Sequence, residues 1–262
     1  MIKLIATDID GTFFDDQHHY NIERFNNQLE KLHARDVKFT VASGNYLGHL
    51  ETVMDASPVD AFVAENGANI EADGKKVFTS YLSPEILQQV MADLDKIDNL
   101  RAYILSGDNA TYVHENDYAE VDTYYISNYK LVSSIDDVHD NIFKINVGLT
   151  TNDLQETEDY LNEKYKGMIH ATASGFGSID IISSGINKSF GLRKIASYYD
   201  LALDEILSFG DNSNDKEMLE ESGIGVSMLN GTDLLKKSAD RITRVDNNHE
   251  GVLDTIDEIF EW

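Results

Sequence analysis

The chain has 262 residues, 42% of them hydrophobic and none of them cysteine. That suffices for one or two domains with a substantial core, and excludes disulfides, thiolate catalysis and cysteine-ligated metals. A formal charge of −26 argues against phosphate-directed binding of nucleic acid and no apolar run reaches membrane-span length, so neither partner is expected; the lack of cysteine fits a cytoplasmic protein, expected to be monomeric or weakly homo-oligomeric.

In chain order, Lys3 to Thr7 reads as a strand that runs into Asp8-Ile9-Asp10-Gly11-Thr12. In extended chain, residues i and i+2 share a side, so Asp8 and Asp10 can address one site at the carboxyl end of that strand. Two carboxylates held together need a proton, a lysine or a divalent cation. A helical pattern of Ile22, Phe25, Leu29 and Leu32 precedes a strand at Lys38 to Ala42, then a helix from Tyr46 to Met54 and a strand at Ala61 to Ala64. Strands alternating with helices imply a parallel sheet. Ile70 to Ser80 reads as a hairpin turning at Asp73-Gly74.

Ser83-Pro84-Glu85 marks a helix start, with serine as N-cap and proline at the first helical position. Strands follow at Arg101 to Leu105 and Ala110 to Val113, a helix near Asn116 to Asn128 and a strand at Ile142 to Val147. A helix at Asn152 to Tyr165 and strands at Ile169 to Ala173 and Ser178 to Ile182 complete the insert, and Ser183-Ser184-Gly185 leads back. The alternating pattern then resumes: helix Lys188 to Tyr199, strand Ile206 to Phe209, helix Ser213 to Glu221, strand Gly223 to Val226, helix Thr232 to Lys237, strand Ile242 to Val245, helix Gly251 to Phe260. The expected fold is α/β: a doubly wound, Rossmann-like parallel sheet formed by residues 1–82 and 186–262, interrupted by a smaller α/β domain over 83–185.

Three further groups echo the first. Ser43-Gly44-Asn45 closes a strand before a helix, where a hydroxyl and backbone N–H groups can cradle an anion. Gly210-Asp211-Asn212-Ser213-Asn214-Asp215 follows another strand with hard oxygen donors that suit Mg²⁺. Lys188 begins the helix after the insert and can supply positive charge. His18 and His19 read as surface residues, and Tyr124-Tyr125 as half-buried helix positions.

The order Asp-x-Asp-Gly-Thr, Ser-Gly, Lys, Gly-Asp-x-x-Asn-Asp resembles the haloacid dehalogenase superfamily of phosphohydrolases, along essentially the whole chain. The insert between the Ser and Lys motifs resembles the C2-type cap of the Cof-like subfamily. Phe62 to Ala68, Thr172 to Gly177, Ile179 to Ile182 and Asp246 to Gly251 deepen the likeness to bacterial sugar-phosphate phosphatases within it. The resemblance implies that Asp8 attacks phosphorus to form an aspartyl-phosphate while Asp10, protonated, donates to the leaving group and then activates water. It further implies that Mg²⁺ binds Asp8, the Asp10 carbonyl and Asp211, and that Ser43, Gly44, Lys188 and Asn214 hold the phosphate of a small phosphorylated metabolite. Asp215 would orient Lys188 or a metal water. Asn45 departs from the arginine of many relatives and removes a bidentate contact to a second phosphate. A phosphoryl transferase or mutase acting between sugars, or an inactive phosphate-binding module, would carry the same motifs.

Overall fold

The computed structural model describes residues 1–126, 128–150, 154–175 and 177–262. The chain opens with β1 (Leu4–Thr7), α1 (Ile22–His33), β2 (Lys38–Ala42), α2 (Leu47–Val53), β3 (Ala61–Ala64), β4 (Asn69–Ala72) and β5 (Lys75–Thr79). The inserted segment contributes α3 (Pro84–Leu94), β6 (Leu100–Gly107), β7 (Thr111–His114), β8 (Tyr129–Val132), β9 (Ile142–Leu149), α4 (Gln155–Lys164), β10 (Ile169–Gly175) and β11 (Ser178–Ser183). The return adds α5 (Lys188–Tyr198), β12 (Ile206–Gly210), α6 (Lys216–Glu221), β13 (Ile224–Ser227), α7 (Asp233–Ser238), β14 (Arg241–Ile242) and α8 (Gly251–Phe260).

Eight strands pair in the order β14-β13-β12-β1-β2-β3-β4-β5, parallel from β14 to β3. The β4–β5 hairpin adds two antiparallel strands, and its turn places Asp73 and Gly74 both at positive φ. Strand alternation sorts the side chains between two layers of helix. Ile5, Phe39, Val41, Leu207 and Phe209 pack with Phe25 and Leu29 of α1 and Val252 and Ile256 of α8. Leu4, Ala6, Val63 and Ile206 face the other way, onto Leu192 and Ile195 of α5 and Met218 of α6. This sheet is buried on both faces, as parallel sheets must be.

The insert forms a second sheet, ordered β10-β11-β9-β6-β7-β8. One of its faces is apolar: Leu105, Ile145, Val147, Ile179 and Ile181 pack under Val90, Met91 and Leu94 of α3 and Leu161 of α4. The alternate positions are polar, and the register aligns them into a row. Ser106 pairs with Lys144, Asn146 with Asp180, and Asp180 with Thr172. A sheet whose apolar face is covered by its own helices is left with this polar row to meet the first sheet.

Ser83 caps α3 as expected, its hydroxyl accepting from the Ile86 N–H. The helix expected near Asn116 to Asn128 is absent from the described part of that stretch. Two single turns, Tyr118–Glu120 and Thr123–Tyr125, occupy it, and β8 then pairs in parallel with β7. Asp122 explains the interruption: its carboxylate accepts from the Tyr124 N–H, restarting a short turn where a helix would continue. The expected start of α4 at Asn152, and Phe176, lie outside the described residues.

Candidate active site

β1 stops at Thr7, so Asp8 to Asp10 form the start of a turn. The Ile9 carbonyl gathers the N–H groups of Thr12, Phe13 and Phe14, wrapping the chain tightly around it. Gly11 sits in the left-handed region at φ +78°, and a Cβ there would lie 2.7 Å from an Asp211 oxygen. Only glycine lets this turn touch the loop after β12.

The two opening aspartates are directed to different partners. Asp8 is buried and its Oδ1 lies 2.6 Å from Lys188 Nζ. The same ammonium is 2.6 Å from Asp215 Oδ1. Asp215 Oδ2 also accepts from the Asp211 and Asn212 N–H groups, which fixes the loop after β12. Carboxylate oxygens of Asp8, Asp211 and Asp215 all lie within 4.8 Å of one another, a set that could hold a metal ion. Asp10 instead accepts from Asn45 Nδ2 at 2.8 Å, with Tyr125 Oη at 3.4 Å and His18 Nδ1 at 3.5 Å.

The electrostatics show why a cation fits this place. Burial raises the Asp8 carboxyl well above the ordinary value; Lys188 opposes that shift, and Asp215 and Asp211 reinforce it. Burial and then Asp215 push Asp211 up to about 7. Burial disfavours the Lys188 charge, but Asp215 and Asp8 overcome this and hold its pKa above the usual lysine range. Three clustered carboxylates, those of Asp8 and Asp215 buried and that of Asp211 partly so, thus face one ammonium, leaving negative charge that an oxygen-seeking cation would neutralise.

Ser43 is buried at the end of β2. Its N–H donates to the Val63 carbonyl, its carbonyl accepts from the Asn66 N–H, and its Oγ accepts from the Asn45 N–H at 3.1 Å. The Asn45 N–H is therefore engaged within the cradle, which leaves the Ser43 hydroxyl hydrogen to donate outward. Asn214 lies in the turn before α6 and donates to Asn66 Oδ1 at 3.1 Å. Asn66 in turn donates to Asp180 Oδ2 at 2.7 Å. The expected residues converge on one edge of the first sheet, with Asn214 at the seam where the insert meets it.

Several residues of this site carry roles that sequence reasoning did not assign. Asn45 binds Asp10. His18, expected on the surface, stacks on Tyr124 with centroids 4.2 Å apart, and Tyr125 meets it edge-on. His49 packs against both tyrosines at 5.1 and 5.8 Å. The tyrosine pair thus works as an aromatic surface beside Asp10, contrary to its expected place in a helix. Beneath the insert, Lys144 lies 3.1 Å from Glu65 and 3.4 Å from Asp180, and donates to the Gly44 carbonyl. The available signal for Lys144 was a lone charge within an apolar strand, alternating in phase with Asn146.

Comparison with known proteins gives the chain a family and a fold. The family model described as haloacid dehalogenase-like hydrolase matches residues 5–256. The chain is 33% identical over 264 aligned positions to the 5-amino-6-(5-phospho-D-ribitylamino)uracil phosphatase YbjI of Escherichia coli, covering 99% of this chain and 97% of that one. It is 27% identical to the HMP-PP phosphatase of Citrobacter koseri, with 88% and 85% covered. A crystal structure from Streptococcus mutans superposes with a TM-score of 0.93 at 28% identity, over 100% of both chains. A haloacid dehalogenase-like hydrolase from B. subtilis does so at 0.85 and 20% identity, covering 98% and 100%, which supports the fold. No helix among the described residues is long and apolar enough to cross a membrane.

Proposed function

The chain belongs to the haloacid dehalogenase-like hydrolase family and is a phosphatase, and from that premise we propose a Mg²⁺-dependent phosphatase of small sugar phosphates with Asp8 as nucleophile. The observation that carries this reading is the Asp8–Lys188–Asp215 group at the carboxyl end of β1, with Asp211 within reach. Phosphate esters hydrolyse extremely slowly unaided, so the site must place a nucleophile, a proton donor and positive charge around one phosphorus.

An Asp8 carboxylate oxygen attacks phosphorus and the bond to the leaving oxygen breaks, giving an aspartyl-phosphate. Asp10, on the same turn but held apart by Asn45, gives its proton to the departing oxygen. In the second step Asp10 takes a proton from water as that water attacks phosphorus, releasing phosphate and restoring Asp8. Ser43 and Gly44 cradle phosphoryl oxygens, Asn214 borders them, and Lys188 holds Asp8 in line while countering charge. Mg²⁺ held by Asp8 and Asp211, with Asp215 and the Asp10 carbonyl alongside, would supply positive charge against the phosphoryl oxygens.

In this reading residues 1–82 and 186–262 form the catalytic core, and 83–185 act as a cap that excludes water and reads the leaving group. The leaving group departs toward Asp10, where Tyr124, Tyr125, His18 and His49 offer flat faces and polar edges. Such a surface suits a polyol chain or a ring-bearing sugar derivative. The phosphorylated ribityl chain in the name of the Escherichia coli relative is of this class.

The test is a panel of sugar and sugar-alcohol phosphates, including that ribityl compound, assayed for released phosphate with and without Mg²⁺. Stoichiometric release that needs Mg²⁺ and vanishes in Asp8→Asn is expected. Turnover that survives in Asp8→Asn, or consumption of substrate without free phosphate, would overturn hydrolysis through Asp8.

A further inference from the structure

Outside the Asp8 cluster, the insert contributes a buried lysine, Lys144 on β9, 6% exposed. Its ammonium has three acceptors: Glu65 from the first sheet, Asp180 from β11 and the main-chain carbonyl of Gly44. Burial disfavours the charge, but Asp180 and Glu65 hold its pKa above the ordinary lysine value, so it stays an ammonium.

Two facts suggest more than adhesion between the sheets. First, Glu65 and Asn66 both sit at positive φ, 52° and 51°, a conformation that asparagine tolerates but that is unfavourable for glutamate. Strain of this kind persists only when its surroundings over-determine it. The main-chain N–H groups of Glu65 and Asn66 donate to the Asn45 and Ser43 carbonyls and Asn214 donates to Asn66, all within the core, while the insert adds Lys144 and Ser106 on Glu65 and Asp180 on Asn66. Secondly, the carbonyl that Lys144 binds belongs to the phosphate cradle. The same peptide unit supplies the Asn45 N–H that donates to Ser43 Oγ, and the Asn45 side chain holds Asp10. The fit at this point is close, since a Cβ on Gly44 would lie 3.0 Å from Asp180 Oδ2.

We propose that Lys144 is a positioning residue: seated by the insert, it fixes the Gly44–Asn45 peptide and thereby aligns Ser43 and the Asp10 carboxylate for reaction. This rests on the roles given above to Ser43 and Asp10. Proton donor and cradle are then in register only while the insert is docked, which confines the reactive arrangement to the water-excluded state. Lys144 touches no reacting atom; it acts through the peptide.

The experiment measures kcat and KM for an aryl phosphate with Mg²⁺ in five forms, with thermal melts alongside: the unchanged protein, Lys144→Met, Lys144→Gln, Asn45→Ala and the Lys144→Met/Asn45→Ala double variant. Lys144→Met should lower kcat about 30-fold, within the hundredfold that a small misplacement can cost, while KM moves less than about threefold. Lys144→Gln keeps an N–H donor for the Gly44 carbonyl and should recover most of that loss. Asn45→Ala should cost about tenfold, and the double variant should be no worse than about twofold below the weaker single, because both break one chain of contacts. Should Lys144→Met fail to fold, Lys144→Leu with and without Asn45→Ala is read by the same rule. A Lys144→Met kcat within twofold of the unchanged protein, or losses that multiply, would overturn the inference alone. No turnover in the unchanged protein would overturn the phosphatase chemistry proposed for Asp8 and this inference with it.

Discussion

Two buried lysines, each set between two carboxylates, organise the polar interior of this molecule, and they differ in what they join. Lys188 lies between Asp8 and Asp215 at 2.6 Å from each, all three from the eight-stranded sheet and its helices. Lys144 lies between Glu65 and Asp180 at 3.1 and 3.4 Å, with one carboxylate on each side of the seam between the sheets. Removing one partner from a buried ion pair strands the others, and this holds for both groups. What differs is the neighbour. Beside Lys188 a further carboxylate, Asp211, leaves an excess of negative charge that asks for a cation. Beside Lys144 the remaining acceptor is a neutral backbone carbonyl, and Asn66 and Asn146 both donate to Asp180. The same chemistry serves reaction in one place and alignment in the other.

That contrast can be broken experimentally. The largest effect should come from Lys188→Met, which leaves Asp8, Asp211 and Asp215 without an ammonium. It should lower kcat by about a thousandfold, in the range for loss of a preorganised charge-stabilising group. If Lys188→Met and Lys144→Met cost the same, the distinction between reaction and alignment fails.

A pH titration sharpens the comparison at the metal-binding group. Asp211 holds its proton up to about 7 in the fold, against an ordinary value of 3.8. The folded state then binds more protons than the unfolded state across that interval, so its contribution to metal-free stability declines as pH rises from the ordinary value toward 7. A divalent cation competes with the same proton. Mg²⁺ affinity, measured by calorimetry, should therefore strengthen roughly tenfold per pH unit below about 7 and level off above it. A pH-independent affinity from 5 to 8 would remove Asp211 as a ligand.

Smaller effects belong to the insert. Asp180→Asn leaves Lys144 paired with Glu65 and Gly44, so kcat should fall only about threefold, far less than for Lys144→Met. Ser83→Ala removes the cap of α3 and should cost about 1 kcal/mol of stability in a denaturant melt, with turnover unchanged. A large loss of turnover from Ser83→Ala would show that insert stability, rather than the Lys144 contact, governs the chemistry.

Much of this arrangement is legible in the order of residues. The alternation of strands and helices, the Asp73-Gly74 turn and the Ser83-Pro84 start are local signals, because glycine, proline and capping residues act within a few positions. Asp8, Ser43, Lys188 and Asp211 are legible for a related reason: each follows a strand end or opens a helix, and parallel sheets bring those ends to one edge. The stretch from Asn116 to Asn128 misleads because tyrosine and aspartate spacing can mimic a helical face, and a single Asp122 carboxylate decides otherwise. His18, Tyr124 and Tyr125 lack any local mark; their meeting depends on how the insert lies on the first sheet.

The sequence by itself determined the fold class, the order of the elements outside residues 116–132 and the candidate group of aspartates and lysine at the carboxyl edge. Tertiary structure alone decided which carboxylates converge, placing Asp215 with Asp8 and Asp211 while Asp10 turned to Asn45. It also decided that Lys144 would reach Gly44, a hundred residues away in the chain. Contacts of that separation leave no periodicity or spacing to read. They arise because a sheet covered by its own helices on one face must satisfy its polar face elsewhere, and the open edge of the first sheet is where it does so.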